Sequence, residues 1–410
     1  MKNYSFLFLL LILTSCGNPF EEPVYNASAS YTRSNNYSNY RKFSINVLET
    51  KYYGKTKDDT LEHSGSHLEP LVVGSNDFYL LGADGSISFI SKDILQARFT
   101  VPDSSPVSTR PAADIEQNIY FVSLKPIIYS FNKTGKLRWK YVLSDTTDPF
   151  EMCSDVLATK DGVLVGTSSG KLFKFSFDGH LIFQKQYNTA ISRSFAADDN
   201  SNVYIVLTKN TFGDTDNLVM IDPQGNEKFN KPIDFVRIVK NPVVSGDNIY
   251  LIGFMQTNAK SGSFLICFDR RGFEKWRQEL PVFPRFLSCN EQNVFVIGFN
   301  TGVGESMSGI FSFSRAGKQN WRLFISATVT APMLVNSSKS AVIGNTPNGA
   351  AIFFVDTDNG KLIEDRGLNE IDTFYTVPAV TGDGSIIFAM SSRLGIVRLT
   401  DTALNKILPW

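Results

Sequence analysis

The chain has 410 residues, and its 40 Lys plus Arg balance 40 Asp plus Glu, so no net field draws it to nucleic acid or another polyanion. It carries 33 Phe and 15 Tyr but only 3 His and 4 Cys, which leaves little room for histidine-based metal sites, Ser–His–Asp triads or a disulfide framework. The length admits two ordinary domains or one large β domain.

The chain opens MKNYSFLFLLLILTSCGNPF. Lys2 gives a short positive region, and an uninterrupted apolar run follows over 6–13. A membrane span needs ~20 apolar residues, so this run has the length of a signal-peptide core instead. Leu13-Thr14-Ser15-Cys16 resembles the bacterial lipobox, in which small residues precede the cysteine that receives the lipid. Residues 1–15 are therefore expected to be a lipoprotein signal peptide, with Cys16 the lipidated first residue of the mature chain. An aspartate after that cysteine is the inner-membrane retention signal of enterobacterial lipoproteins; Gly17 stands there, which points to the outer membrane. Residues 16–41, rich in Asn, Ser and Tyr, read as a lipidated flexible tether with a reach of roughly 25–30 Å.

From residue 42 the pattern changes. KFSINVLET (42–50) alternates apolar and polar residues but belongs to no repeat, and it is expected to pair with the last repeat and latch the fold. His63 and His67 stand four apart in the polar, Gly-containing stretch TLEHSGSHLEP. That context predicts solvated loop histidines, not metal ligands.

A repeat then dominates. YSFNKTGKLRWKY (129–141), FKFSFDGHLIFQK (173–185), VMIDPQGNEKFNK (219–231), ICFDRRGFEKWRQ (266–278), FSFSRAGKQNWRL (311–323) and FFVDTDNGKLIED (353–365) each read as strand, polar turn and strand. Gly135, Gly179, Gly225, Gly272, Gly317 and Gly360 end the turns, spaced 44, 46, 47, 45 and 43 residues apart. Four residues after the first five stand Trp139, Phe183, Phe229, Trp276 and Trp321; Glu364 breaks the pattern. Two weaker copies flank these, with Leu95 at the glycine position and Phe99 at the aromatic one in the first, and Leu404 at the glycine position in the last. A second hairpin precedes each, as in NPVVSGDNIYLIGF (241–254). The unit is thus four antiparallel strands in about 45 residues, the size of a propeller blade. The fold expected is all-β, a single eight-bladed β-propeller of four-stranded antiparallel blades over 42–410. Glycine serves the turn, and the aromatic covers the junction with the next blade.

The consensus of acidic residue, turn, Gly and aromatic resembles the PQQ-like (pyrroloquinoline-quinone-type) propeller repeat over about residues 70–410. Within that group, a short single-propeller lipoprotein resembles the BamB-type scaffold of the outer-membrane barrel assembly machinery. The resemblance also extends to quinone-dependent dehydrogenases, which use a calcium site, a catalytic Asp and commonly a disulfide between adjacent cysteines. This chain has no Cys-Cys pair. Cys153, Cys267 and Cys289 remain beside Cys16, either as buried free thiols or with a Cys267–Cys289 bridge. Asp356 to Gly360 faintly resembles a calcium loop, but its spacing departs from the EF-hand and it aligns with the hairpin turn of the other repeats. Asp222 and Asp269 likewise precede turns.

The connection between the second and third strands is short in one repeat (GTSSG, 166–170) and long in three consecutive ones, 208–217, 253–262 and 298–309. These loops are expected side by side on one rim, where they would dock a protein partner. The reading that follows is a lipid-anchored, monomeric envelope scaffold at the outer membrane, with protein partners that include barrel-assembly machinery. It has no enzymatic activity, cofactor, metal or nucleic-acid partner. The alternatives are a ligand-sensing propeller and a quinone-dependent oxidoreductase.

Overall fold

Strand formers fill each repeat, and Gly or Asx turns cut them at short intervals, so hairpin follows hairpin along the chain. The computed structural model describes residues 48–53, 70–73, 77–82, 85–92, 94–102, 105–144, 151–192, 194–209, 215–233, 237–238, 242–256, 261–299, 307–335, 339–367, 378–380, 386–389 and 396–401. Among these, every regular element is a strand, and the strands assemble into eight antiparallel sheets. In chain order they form blades 1 to 8, covering 71–100, 112–142, 157–186, 190–232, 237–280, 283–325, 328–367 and 379–401. The strands of a blade are lettered a to d. The a strands of neighbouring blades approach one another, which puts them at the centre of a propeller and the d strands at its outside.

Burial explains the sequence pattern along each blade. Strands b and c are covered on both faces by adjacent blades, so Ile119–Val122 and Val203–Thr208 are apolar runs without alternation. The d strands have one face on the next blade and one in water, and Ile94–Thr100 alternates accordingly. The cores lie between blades. Ala196, Tyr204 and Val206 of blade 4, for instance, pack with Val244, Leu251 and Ile266 of blade 5.

Three blades depart from the uniform four-stranded unit. In blades 4, 5 and 7 strand a is broken into two short pieces that both pair with strand b. In blade 4 the break lies between Ala190–Ile191 and Ala196–Ala197, and Ser194 there donates to Asp155 of blade 3 at 2.6 Å. The strand gives up ladder bonds for a tie to its neighbour.

Closure joins the two ends of the ring. Leu48–Tyr53 pairs with Ile396–Asp401 as the outer strand of blade 8, in register from Leu48↔Asp401 to Tyr53↔Ile396. Of the segment 42–50 expected to latch the ring, 48–50 lie in this strand; 42–47 and the whole 402–410 segment, Leu404 included, lie outside the described residues. Val72, Phe78, Leu80 and Ile90 of blade 1 pack against Ala379 and Ile387 of blade 8 to complete the circle.

The repeat's glycines and aromatics meet across the blade junctions. The six turn glycines hold φ between 73° and 90°, the left-handed region that a Cβ disfavours. A Cβ added to any of them would fall 2.5–2.8 Å from a ring of the preceding blade: Phe99 at Gly135, Trp139 at Gly179, Phe183 at Gly225, Phe229 at Gly272, Trp276 at Gly317 and Trp321 at Gly360. Glycine is therefore required twice over, by the backbone and by the ring lying on it. The indole N–H groups then donate into the next blade: Trp139 to the Phe177 carbonyl at 2.8 Å, Trp276 to that of Arg315 and Trp321 to that of Thr357, both at 2.9 Å.

Blade 1 corrects the repeat alignment. Leu95 does not occupy the turn; it lies in strand d opposite Ile90, and Lys92 takes the left-handed backbone with φ 49°. With this shorter turn Phe99 stands opposite Ile87, whereas Trp139 stands opposite Ser130, yet the Phe99 ring still reaches Gly135. Strands c and d of blades 1 to 7 share a β-bulge before the turn, which no sequence pattern announces.

The three described cysteines are buried free thiols. Cys267 and Cys289 share the core between blades 5 and 6, and burial pushes both, like Cys153, up to about 12. They are core side chains and poor nucleophiles.

Candidate interaction rim

Antiparallel order gives the ring two unlike rims. The a–b and c–d turns share one, the turn rim; the b–c connections and the passages from one blade to the next share the other, the loop rim.

The turn rim is built from short polar side chains that cap their own backbone. Asn132, Asp222 and Asp269 each accept two N–H bonds with one side-chain oxygen, at 2.7–3.1 Å, within the c–d turn they open. Asp356 does the same for the N–H groups of Asp358 and Asn359, which accounts for the calcium-like spacing there as hairpin chemistry. The a–b turns carry a second motif that the sequence reading missed. Asp114 accepts from the Asn118 backbone, the Asn118 side chain and the Tyr120 hydroxyl; Asp198 accepts from Asn202 and Tyr204 in the same way. The signal was present as D-x-x-x-N-x-Y in ADIEQNIYF and ADDNSNVYI.

Cations then bind blade to blade on this rim. Arg270 of blade 5 joins Asp198 of blade 4, whose side chain is wholly buried. Arg315 of blade 6 donates to the Ser245 carbonyl and hydroxyl of blade 5. Lys174 of blade 3, also buried, joins Asp161 of its own blade and the Pro223 carbonyl of blade 4. Other cations on this rim stay within their own turn, as Lys228 with Asp222 and Arg271 with Asp269 do. His180 lies exposed in the c–d turn of blade 3.

The loop rim is different. In blade 3 strands b and c are five residues each, Gly162–Gly166 and Lys171–Phe175. In blade 5 they are nine each, Asn248–Gln256 and Ser261–Asp269, paired out to Gln256↔Ser261. Blade 6 pairs out to Phe299↔Ser308. The ends of what reads as loop at 253–262 and 298–309 are therefore paired strand, 253–256 with 261–262 and 298–299 with 308–309; 257–260 and 300–306 lie outside the described residues. Backbone pairing needs no core face, so it continues past the body of the blade where side-chain alternation has faded. Four extra residues at 3.4 Å each carry the blade 5 hairpin ~14 Å beyond its short counterpart.

Blade 7 adds a projection that sequence reasoning overlooked. Lys339–Thr346 and Gly349–Asp356 pair to Thr346↔Gly349, closing on Pro347-Asn348. The Asn348-Gly349 dipeptide was the available signal. In blade 4, strands b and c end at Thr208 and Asn217, and 210–214 lie outside the described residues. The base of that connection is anchored by Asp216, which accepts the N–H of Ile238 at 2.8 Å and of Lys209 at 3.3 Å. Burial raises the Asp216 pKa against these bonds.

On the same rim, around blades 2 and 3, Leu124, Val142 and Met152 are 53–65% exposed. Among the described residues no group of His, Cys, Asp and Glu is arranged to hold a metal ion, and Cys16, His63 and His67 lie outside them. The turn glycines and aromatics come together as packing at blade junctions, away from the loop rim.

No family profile and no curated protein matches the sequence. Solved structures match the fold. BamB from Moraxella catarrhalis is 16% identical with a TM-score of 0.62, the match covering 87% of this chain and 100% of that one. The computationally designed Ika8 protein is 13% identical with a TM-score of 0.61, over 82% of this chain and 96% of that one. Dihydro-heme d1 dehydrogenase NirN is 14% identical with a TM-score of 0.61, over 80% of this chain and 71% of that one. At such identities the likeness is one of fold, and the chain is a β-propeller of the kind BamB has.

Proposed function

We propose that this propeller is a lipid-anchored scaffold of the bacterial envelope that binds protein partners through its loop rim and assists outer-membrane protein assembly. The observation that carries the reading is the asymmetry of the rims. On one, Asx side chains cap short turns and Arg270, Arg315 and Lys174 tie blade to blade, while the other extends paired hairpins from blades 5, 6 and 7 past the short connection of blade 3. Exposed loops on a stiff frame are where binding is usually carried. The lipobox at Cys16 and the tether over 16–41 supply the anchor in this reading, and the likeness to BamB favours assembly machinery as the partner. The chain works by binding, with no cofactor and no catalytic step.

The test is in-cell photo-crosslinking from Asn258, Val303 and Asn348, with Thr134 on the turn rim as control. The expected result is capture of barrel-insertion machinery from the three hairpins and none from Thr134. Equal capture from Thr134, or recovery of unrelated proteins only, overturns the reading. Replacing Cys16 with Ser should release the chain from the membrane fraction; unchanged fractionation refutes the anchor.

A further inference from the structure

The strand that closes the ring also fixes the rim at which the N-terminal part of the chain joins the fold. Leu48 stands opposite Asp401, and Leu399 in that same strand stands opposite Ile386, the first residue of strand b in blade 8. Strand b begins at the turn rim, so Leu48 lies there too. The chain that precedes it therefore meets the ring at the turn rim, on the outer strand of the blade between 7 and 1.

The start of strand d differs around this rim. Two residues after the turn glycine stand Leu137, Leu181 and Leu362 in blades 2, 3 and 7, but Glu227, Glu274 and Gln319 in blades 4, 5 and 6. Strand d of blade 1 starts with Ile94, and Ile182 and Ile363 follow Leu181 and Leu362. These six apolar side chains are 37–63% exposed, and they flank the point where the chain enters. The turns of blades 1, 2 and 7 beside them carry the exposed cations Lys92, Lys133, Lys136 and Lys361, against the exposed acids Glu116 and Asp358 among the described turn residues. Phe273 of blade 5 is exposed as well, but the Lys231 ammonium lies 3.6 Å from its ring centre. The other exposed acids of the a–b turns, Asp161, Asp199, Asp247 and Glu291, belong to blades 3 to 6.

We propose that the turn rim over blades 7, 8, 1 and 2 is a membrane-contact edge that rests on a bilayer bearing anionic headgroups. Its apolar side chains would enter the interface while the lysines meet the phosphates, the division of labour of surfaces that lie on membranes. The point of attachment singles out the bilayer as the occupant. A tether with a reach of roughly 25–30 Å, joined at this edge, keeps lipid at high local concentration there. In a ring of eight, blades 5 and 6 lie across from blades 1 and 2, and their hairpins project from the other rim. Contact through this edge holds those hairpins on the far side of the molecule, clear of the lipid. The inference rests on the anchored-scaffold reading and gives the scaffold its orientation.

The test uses the full-length lipidated chain in vesicles of phosphatidylethanolamine and phosphatidylglycerol. Because the described thiols are buried, a bimane label can be placed in turn by Thr134→Cys, Asn359→Cys, Gln224→Cys and Asn348→Cys, and its quenching by headgroup-spin-labelled lipid read at each. Thr134 and Asn359 lie on the proposed edge, Gln224 on the same rim in blade 4, and Asn348 on the loop rim. Quenching should be several-fold stronger at the first two. It should fall to the Gln224 level in the triple variant Lys92→Glu, Lys136→Glu, Lys361→Glu, and in vesicles of phosphatidylcholine alone, with melting curves checking that every variant folds. Equal quenching at the four sites, strongest quenching at Asn348, or full quenching retained in the triple variant overturns the proposal, as does photo-crosslinking of Thr134 to a protein. A chain that sediments with vesicles but is quenched equally everywhere loses this edge alone; one that does not sediment with them takes the anchor reading down as well.

Discussion

Asp216 and Asp222 stand at opposite ends of one strand, Asn217–Ile221 of blade 4, and they show how differently the two rims use the same side chain. On the turn rim, burial alone would raise the Asp222 pKa, but hydrogen bonds from Lys228 and Asn226 outweigh it and hold the carboxyl well below the usual range. On the loop rim, burial wins at Asp216, and bonds from the Ile238 and Lys209 backbones do not offset it. The first charge stabilises the fold, while the second is tolerated because it holds the base of a connection in place. At this strand the turn-rim carboxylate adds to stability, and the loop-rim one takes from it in return for position.

Four experiments sharpen or break that contrast. The largest effect is expected for Trp321→Ala, which empties a buried site, removes the indole bond to the Thr357 carbonyl and takes away the ring under Gly360. A loss of about 3–5 kcal/mol in urea unfolding is expected, as for other buried Trp truncations. Next comes Arg270→Met, which strands the buried Asp198 carboxylate and should lower stability by about 2 kcal/mol; an unchanged midpoint would show that these rim cations are ornamental.

The third experiment compares Asp222→Asn with Asp216→Asn across pH. A carboxyl whose folded pKa is depressed adds stability above its unfolded value, 3.8, and loses it as the pH falls through the folded value. Asp222→Asn should therefore weaken the protein at neutral pH and flatten its acid destabilisation below pH 3.8. Asp216 has the opposite sign: its folded pKa is raised, so its contribution declines as the pH rises above 3.8. Asp216→Asn removes the costly charge but sets an NH2 group against one of the two N–H donors, so it should lower neutral-pH stability less than Asp222→Asn does and remove the decline above pH 3.8; parallel pH curves for the two variants would remove the contrast. Smallest is the replacement of 257–260 and 300–306 by Gly-Ser, expected to shift stability by no more than ~0.5 kcal/mol, the scale of surface changes. A large drop would mean that the projections belong to the frame.

The turn rim was the more legible in sequence, for a physical reason. Each of its c–d turn glycines answers to two constraints at once, a positive φ and a ring from the preceding blade, so the Gly-aromatic period is written plainly from Gly135 to Gly360. Where the constraint relaxes, legibility goes with it. Blade 1 has no turn glycine, and aligning Leu95 to that position misplaced the turn by the residues that Lys92 in fact supplies. The projecting hairpins were read as loops because the pairing that runs out to Gln256↔Ser261 is made by the backbone, and the polar stretch QTNAKSG carries no apolar alternation to announce it. Blade 7 escaped notice although Asn348-Gly349 marked its tip.

The outer strand of blade 8 has a consequence for how the molecule is made. Leu48–Tyr53 is synthesised before any blade, yet its partner Ile396–Asp401 comes last. Neighbouring blades can stack as they emerge, since each hairpin finds its mate nearby, but this one pairing spans nearly the whole chain and must await its end. Until then both strands present unsatisfied edges, the form of β structure most prone to join a stranger. A ribosome that stops early leaves an open arc, and only the finished polypeptide can become a circle.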